Sequence, residues 1–228
     1  MKKLLTLSAV FYSLFAFAQH SPQEIKKLKI SKLIKLSATK GQEIILKTET
    51  WYDENGNDTA EYNGTGLYRR TSYVYNSKGH AISRTRYDAE GKETETAVYT
   101  YKADGSYTIS NTDKSFGMTD LTYVDKAGKT TKTVSPDKSE RIYSYDAKGR
   151  LLKIKSNTGD NGGVVIDQQY IYNAAGKLTK IVSKGDYKWT HVYSYNPKGM
   201  LTKTKINSVT DGVADPEVTY TYAYEFRK

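Results

Sequence analysis

A tyrosine-rich motif of twelve residues recurs along the chain and limits its fold more than any other feature. Residues 143–154 read YSYDAKGRLLKI, and close copies follow at 170–181 (YIYNAAGKLTKI), 193–204 (YSYNPKGMLTKT) and 73–84 (YVYNSKGHAISR). With weaker copies included, the motif glycines lie at positions 56, 79, 91, 105, 128, 149, 176 and 199. Such a repeat is the first indication of architecture, because each copy builds one supersecondary unit.

Each copy encodes the turn of a β-hairpin. Asp146 opens the turn, since its side-chain oxygen can bond the backbone that follows, and Asn does the same in other copies. Gly149 supplies the positive φ of a type I turn followed by a G1 bulge. The flanking segments alternate Tyr, Val, Ile and Thr with polar residues, which indicates strands. We therefore predict an all-β fold, an extended antiparallel meander of repeated hairpins with about sixteen strands in a curled or twisted sheet.

The same alternation predicts which side chains share a face. Even pairing across the turn sets Tyr145 opposite Leu151 and Tyr143 opposite Lys153. The equivalent pairs in the next copies are Tyr172 with Leu178, Tyr170 with Lys180, Tyr195 with Leu201 and Tyr193 with Lys203. Aromatic ladders usually stabilise the sheet itself, but open rings can also stack on sugars or on peptide aromatics. The candidate ligand-binding residues are Tyr143, Tyr145, Tyr170, Tyr172, Trp189, Tyr193, Tyr195, Lys153, Lys180 and Lys203.

The N-terminus has the composition of an export signal. Lys2 and Lys3 precede an apolar run at 4–17, and Ala16 and Ala18 occupy the small-residue positions before a cleavage site at Gln19. The run is shorter than the roughly 20 residues of a membrane-spanning helix. We predict a signal peptide at 1–18 and one YD-repeat-like β-sheet domain at 19–228. The mature protein is then exported to the periplasm, the cell surface or the medium.

The segment 21–36 carries two competing signals. Ser21, Pro22 and Glu24 fit the first positions of a helix. Leu28 and Ile30, however, alternate with lysines, and we predict a strand from about Leu28 onward.

Composition excludes several kinds of chemistry. The chain has no cysteine, so it has neither disulfides nor thiolate metal sites. Its three histidines lie far apart, and no nucleophile elbow or phosphate-binding loop occurs. The formal net charge of +10 falls to +8 without Lys2 and Lys3, and the remaining basic residues are dispersed, as on a solvated surface. We expect no enzymatic activity, no cofactor, no metal and no nucleic-acid partner.

The stretch Tyr145-Asp146-Ala147-Lys148-Gly149-Arg150-Leu151 resembles the YD repeats of RHS-type proteins, whose core reads Y-D-x-x-G-R-L. The resemblance covers roughly residues 50–205. It implies β-sheet architecture and an extracytoplasmic role, and in that family the repeats form shells around a toxin and have been linked with carbohydrate binding. We expect no enclosed toxin here, because the chain is far too short to wrap a closed cocoon.

Three hypotheses about function follow. The first is a non-enzymatic, secreted or periplasmic β-repeat protein that binds a cell-surface glycan or protein through its aromatic face, without need of a membrane. The second is an outer-membrane β-barrel, since sheets of more than about ten strands tend to close. Against it, a lysine that faces lipid at mid-bilayer costs about 2–4 kcal/mol. The third is an accessory protein of an RHS-type toxin system. An enzyme is a further alternative, which the sequence does not favour.

Overall fold

The computed structural model describes residues 22–40, 45–64, 66–157, 166–185, 188–210 and 213–227. The predicted signal peptide at 1–18 lies outside the described residues. Both signals in the segment 21–36 have a counterpart: α1 spans Pro22–Lys27, and β1 begins at Ile30. No helix in the described segments is long and apolar enough to cross a membrane.

Seventeen strands follow one another along the described chain. They are β1 (Ile30–Thr39), β2 (Ile45–Tyr52), β3 (Asp58–Asn63), β4 (Gly66–Tyr75), β5 (Ala81–Tyr87), β6 (Glu93–Tyr101), β7 (Tyr107–Asp113), β8 (Met118–Val124), β9 (Thr130–Val134), β10 (Glu140–Tyr145), β11 (Leu151–Asn157), β12 (Ile166–Tyr172), β13 (Leu178–Gly185), β14 (Lys188–Tyr195), β15 (Leu201–Thr210), β16 (Val213–Ala214) and β17 (Val218–Phe226).

The strands form one antiparallel sheet that closes on itself. Each strand pairs with its neighbour in sequence, and β15 pairs with β17 beyond the short hairpin of β16. The ring closes because β1 pairs both with β2 and with β17, where Leu33 lies opposite Tyr224. Sixteen strands therefore form a closed barrel, and the predicted all-β meander of hairpins is confirmed.

The motif glycines explain the spacing of the repeat. All eight have positive φ, from 76° to 87°. Because successive hairpin turns alternate between the two ends of a meander, Gly91, between β5 and β6, lies at the end opposite to the other seven. The short steps on either side of Gly91 in the sequence thus reflect a turn at the second end, and the remaining glycines recur once per pair of strands.

The inner face of the barrel has two regions of different chemistry. From β10 to β17 the inward side chains form a hydrophobic cluster, which includes Leu151, Ile154 and Leu201. From β3 to β6 the inward side chains carry charge, and Arg69, Arg84 and Arg86 bond Glu61 and Glu95.

Candidate functional site

The predicted aromatic residues face the inside of the barrel. Tyr170 and Tyr193 belong to the buried cluster, with 5% and 7% of their surface exposed. The other rings pack against that cluster while half-buried: Tyr143, Tyr145, Tyr172, Trp189 and Tyr195. Burial raises the pKa of Tyr170 and of Tyr193 above the ordinary value. The structure thus brings all seven aromatic candidates together as part of the core.

The second tyrosine bonds the preceding hairpin in four copies of the motif, and Tyr224 on β17 makes the same contact. In each case the hydroxyl donates to the backbone carbonyl two residues after the glycine of that hairpin. The pairs are Tyr145 with Thr130 (2.7 Å), Tyr172 with Leu151 (2.8 Å), Tyr195 with Leu178 (2.8 Å), Tyr224 with Leu201 (2.8 Å) and Tyr101 with Ala81 (3.0 Å). The motif therefore joins neighbouring hairpins as well as forming its own turn.

In four hairpins the residue after the glycine completes this contact. Arg150 lies over the ring of Tyr172, with 4.6 Å from the guanidinium carbon to the ring centre. Lys129 over Tyr145 and Lys177 over Tyr195 repeat the arrangement at 5.5 and 5.7 Å, and the ring of His80 stacks on Tyr101 at 5.2 Å. A cation over a ring contributes roughly 0.5–1 kcal/mol at an exposed site. Folding therefore explains why the motif combines Tyr, Asp or Asn, Gly and a basic residue.

The predicted Tyr–Lys pairs are wrong. Tyr145 lies opposite Leu151 as expected, but Ser144 lies opposite Lys153, and Tyr143 lies opposite Ile154. A β-bulge adds one residue to the second strand of the hairpin, and a one-residue shift moves a side chain to the other face.

The same irregularity occurs in the next two copies. Lys180 lies opposite Ile171 and Lys203 opposite Ser194, whereas Tyr170 and Tyr193 lie opposite Ile181 and Thr204. Lys153, Lys180 and Lys203 therefore project from the outer wall, away from the tyrosines. Lys153 pairs there with Asp167 at 2.8 Å.

The charged part of the inner wall is internally paired. Arg69 Nη2 lies 2.6 Å from Glu61 Oε2, and Arg86 Nη1 lies 3.0 Å from Glu95 Oε2. Tyr73 donates its hydroxyl proton to Asp58 at 2.9 Å. Among the described residues, no group of three or more potential ligands is placed to hold a metal ion. Buried carboxylates that already have partners fit a structural network.

An aromatic group on the outer wall is the best-placed candidate for binding. Trp51, Tyr62 and Tyr68 are exposed by 42%, 36% and 46%. The rings of Trp51 and Tyr62 are tilted, with centroids 6.2 Å apart. Together with Lys32, which lies beside the Trp51 ring, we call these residues the Trp51 patch.

Polar groups surround the Trp51 patch. Lys32 Nζ is 5.1 Å from the centre of the Trp51 ring and bonds Glu225 at 2.6 Å. That hydrogen bond raises the pKa of Lys32, so the ammonium group stays charged. In the register of the sheet, Ala60 lies between Trp51 and Arg70, and its small side chain leaves the ring open on that side.

The sequence contained a signal for the Trp51 patch. In the strong copies, the residue before the second tyrosine faces outward and is Ser144, Ile171, Ser194 or Val74. In the weak copy at 51–57, Trp51 occupies this position. A large aromatic side chain at this outward position is the signal for the patch. The sequence alone does not show which positions face outward, so the signal can be recognised only from the structure.

Comparison with known proteins provides limited context. Neither a protein-family model nor a curated protein matches the sequence. Among solved structures, a porin-like protein from Bacteroides uniformis is similar at 12% identity and a TM-score of 0.45, covering 86% of this chain and 98% of that one. A porin-like protein from Bacteroides vulgatus gives 14% identity and a TM-score of 0.34, with the same coverages of 86% and 98%.

A structure of TcdB2-TccC3 without its hypervariable C-terminal region is similar over a smaller share of its length. The match has 16% identity and a TM-score of 0.34, and it covers 75% of this chain but 12% of that one. The likeness to RHS repeats stays a prediction from the motif.

Proposed function

We propose that the protein is a non-enzymatic, exported glycan-binding protein whose contact surface is the Trp51 patch. The observation that carries this proposal is the exposure of three aromatic rings on an outer wall where ion-paired side chains adjoin them. Exposed aromatic groups of this kind are characteristic of binding surfaces. The tyrosines of the motif are assigned to folding instead, because they line the core.

The chemistry of the patch suits a sugar. A pyranose ring has an apolar face and a rim of hydroxyl groups. The ring of Trp51 offers a matching apolar surface, while Tyr62 and Tyr68 combine an apolar body with a hydroxyl that can stay in contact with water. Lys32 and Arg70 add charged donors near the ring, and hydrogen bonds from charged groups are stronger than neutral ones.

Export supports a ligand outside the cytoplasm. The basic and apolar residues at 1–18 have the pattern of a signal peptide. The absence of cysteine means that the mature fold does not depend on the redox state of its compartment. A glycan on a cell surface is a partner that an exported protein can reach.

An outer-membrane barrel is the second candidate, favoured by the closed ring of sixteen strands. Closure removes the unpaired strand edges that lipid does not tolerate. The outer wall argues against it, since lysines project outward at successive positions along β11 (Lys153 and Lys155) and along β15 (Lys203 and Lys205). Purification of the mature protein without detergent tests this candidate, because a lipid-facing barrel requires detergent to stay in solution.

Glycan binding is tested with Trp51→Ala. The mature protein is screened on a glycan array, and the affinity for a bound glycan is then measured by calorimetry. We expect Trp51→Ala to weaken binding at least about ten-fold, or roughly 1.4 kcal/mol. Phe116→Ala is the matched control, because Phe116 is 69% exposed but lies in the turn between β7 and β8. Equal effects of the two variants, or no bound glycan at all, would refute the proposal.

A further inference from the structure

A row of hydroxyl side chains crosses the outer wall beside the Trp51 patch. Five residues on five adjacent strands lie directly opposite one another in the register of the sheet. They are Ser72 on β4, Thr85 on β5, Thr96 on β6, Thr112 on β7 and Thr119 on β8. We call them the hydroxyl row. Adjacent members are one strand spacing apart, about 4.8 Å, so the row is roughly 19 Å long.

The hydroxyl row faces outward. On β4, Thr71 is buried whereas Ser72 is exposed, and on β6, Ala97 is buried next to Thr96. Thr112 and Thr119 are 2.9 Å apart through their hydroxyl oxygens. In the described part of the chain, Ser72, Thr85 and Thr96 make no side-chain hydrogen bond, which leaves their hydroxyls available to a ligand.

A second row, parallel to the first, alternates apolar side chains with serines. Two residues further along each strand the outward positions are Val74, Ser83, Val98, Ser110 and Leu121. Val74 and Val98 are 54% and 53% exposed. We call these five residues the valine row.

Neither row contains an ionisable side chain, although 26% of the residues in the chain are charged. The opposite side of the barrel differs, since its outward positions include Lys153, Lys180 and Lys203. The two rows on β4 to β8 therefore form a distinct surface, which Arg70 on β4 and Glu93 on β6 border. Its hydroxyl and methyl groups match a neutral ligand with both polar and apolar edges.

The hydroxyl row is continuous with the Trp51 patch. In register, Trp51 is followed by Ala60, Arg70 and Tyr87 on β3, β4 and β5. Arg70 and Tyr87 lie two residues from Ser72 and Thr85 on the same strands, a distance of roughly 7 Å. A chain molecule that stacks on Trp51 can thus extend directly over the hydroxyl row.

We propose that the hydroxyl row and the valine row bind a neutral, linear polysaccharide that runs across the strands from the Trp51 patch. This inference rests on the proposed glycan-binding function and extends it to a ligand class and a second surface. The strand spacing of about 4.8 Å is close to the advance of an extended pyranose chain per ring, so each hydroxyl meets one sugar unit. The valine row contacts the apolar edges of the same rings.

A hydrocarbon surface fits this wall less well. Hydroxyl groups buried in lipid without partners lose their hydrogen bonds to water. A polyanion is less suited, because neither row contains a positive charge that would attract it. The neutral polysaccharide satisfies the hydroxyls and needs no counter-charge.

The experiment compares two lysine substitutions. Thr96→Lys places a charge at the centre of the hydroxyl row, and Thr221→Lys makes the same change at an exposed, outward position on β17. Affinity is measured by calorimetry for soluble β-glucan, xylan and galactomannan, for their trisaccharides and for polygalacturonate. We expect Thr96→Lys to weaken binding of a long neutral chain at least about ten-fold and to leave the trisaccharide unaffected, whereas Thr221→Lys changes neither.

A second variant protects the test against misfolding. Thr96→Val combined with Thr112→Val keeps the shape of the row and removes two hydroxyls, and we expect it to weaken long-chain binding as well. Unchanged affinity of this variant overturns the role assigned to the hydroxyls. The melting temperature of each variant confirms that it is folded.

The remaining outcomes separate the two proposals. If Thr96→Lys acts no differently from Thr221→Lys while Trp51→Ala abolishes binding, the inference fails and the glycan-binding function stands. If none of these polysaccharides binds, the inference fails, and the glycan-binding function fails with it only if the glycan array also shows no bound glycan. If the protein binds polygalacturonate but none of the neutral polysaccharides, the claim that the ligand is neutral is refuted. Two other outcomes would also overturn the inference, provided that Thr96→Lys leaves polysaccharide binding unchanged. If Thr96→Lys abolishes a dimer seen by sedimentation, the wall binds a second copy of the chain. If it abolishes binding to phosphatidylcholine vesicles, the wall binds lipid.

Discussion

Removing one hydroxyl from the motif tests whether the tyrosines stabilise the barrel. The Tyr172 hydroxyl donates to the carbonyl of Leu151 in the preceding hairpin at 2.8 Å. Above the same ring lies Arg150, which Asp146 holds through an Nε–Oδ2 bond of 2.7 Å. The substitution Tyr172→Phe keeps the ring and the cation contact but loses the hydrogen bond between hairpins.

The expected effect follows from the typical net value of one hydrogen bond. A partly buried bond between neutral groups contributes about 0.5–1.5 kcal/mol, so Tyr172→Phe should lower the free energy of unfolding by about 1 kcal/mol. For a chain of this size, that corresponds to a fall of about 2–4 °C in melting temperature. Tyr172→Leu should lose roughly 0.5–1 kcal/mol more, because it also removes the ring beneath Arg150.

Urea unfolding followed by circular dichroism measures these differences. Tyr68→Phe is the matched control, since Tyr68 is 46% exposed on the outer wall. A double-mutant cycle between Tyr172→Leu and Arg150→Met isolates the cation contact. The account of the motif is wrong if Tyr172→Phe is as stable as Tyr68→Phe, or if the cycle gives no coupling.

Two further changes probe the turn end and the core. Gly56→Ala and Gly79→Ala both place alanine at positive φ, at a cost of about 1–2 kcal/mol, but only at Gly56 would the new Cβ overlap the backbone oxygen of Pro22. We expect Gly56→Ala to melt at a clearly lower temperature than Gly79→Ala and to expose α1 to limited proteolysis. Equal melting temperatures of the two variants would contradict the packing of α1 on this turn. Burial lowers the pKa of His191 to about 4, below the value near 6.5 of an unfolded chain. As the pH falls, the unfolded state therefore binds the proton before the folded state does. The free energy of unfolding is highest above about pH 6.5 and decreases by on the order of 3 kcal/mol as the pH drops toward 4. Urea titrations at several pH values should show this slope for the wild type and a smaller one for His191→Phe, and identical slopes would rule out His191 as its source.

The hairpins were predictable because their determinants are local. Asp146 and Gly149 are three residues apart, and the amide of Gly149 bonds the carbonyl of Asp146 at 2.8 Å, as their types indicate. The alternation of tyrosine with small or polar residues likewise predicted the strands and their shared aromatic face.

The proposed binding surface was less accessible to sequence reasoning. The motif tyrosines attract attention because they recur, but recurrence here reflects a contact between hairpins, as between Tyr172 and Leu151. Trp51 occurs once and in a weak copy, and its importance depends on knowing which side of β2 faces outward. The hydroxyl row was invisible for a related reason, since it joins single residues from five separate strands.

The sequence by itself determined the hairpins, their turns and the all-β class of this protein, because each of these depends on residues within one short segment. Only the tertiary structure decided three other matters. Closure of the barrel depends on pairs such as Leu33 with Tyr224, at opposite ends of the chain. The position of Lys153 depends on a bulge of one residue, which reverses the face without changing the pattern of residue types. The burial of the tyrosines depends on curvature, since closure of the sheet turns its inner face into a core and leaves its outer face exposed.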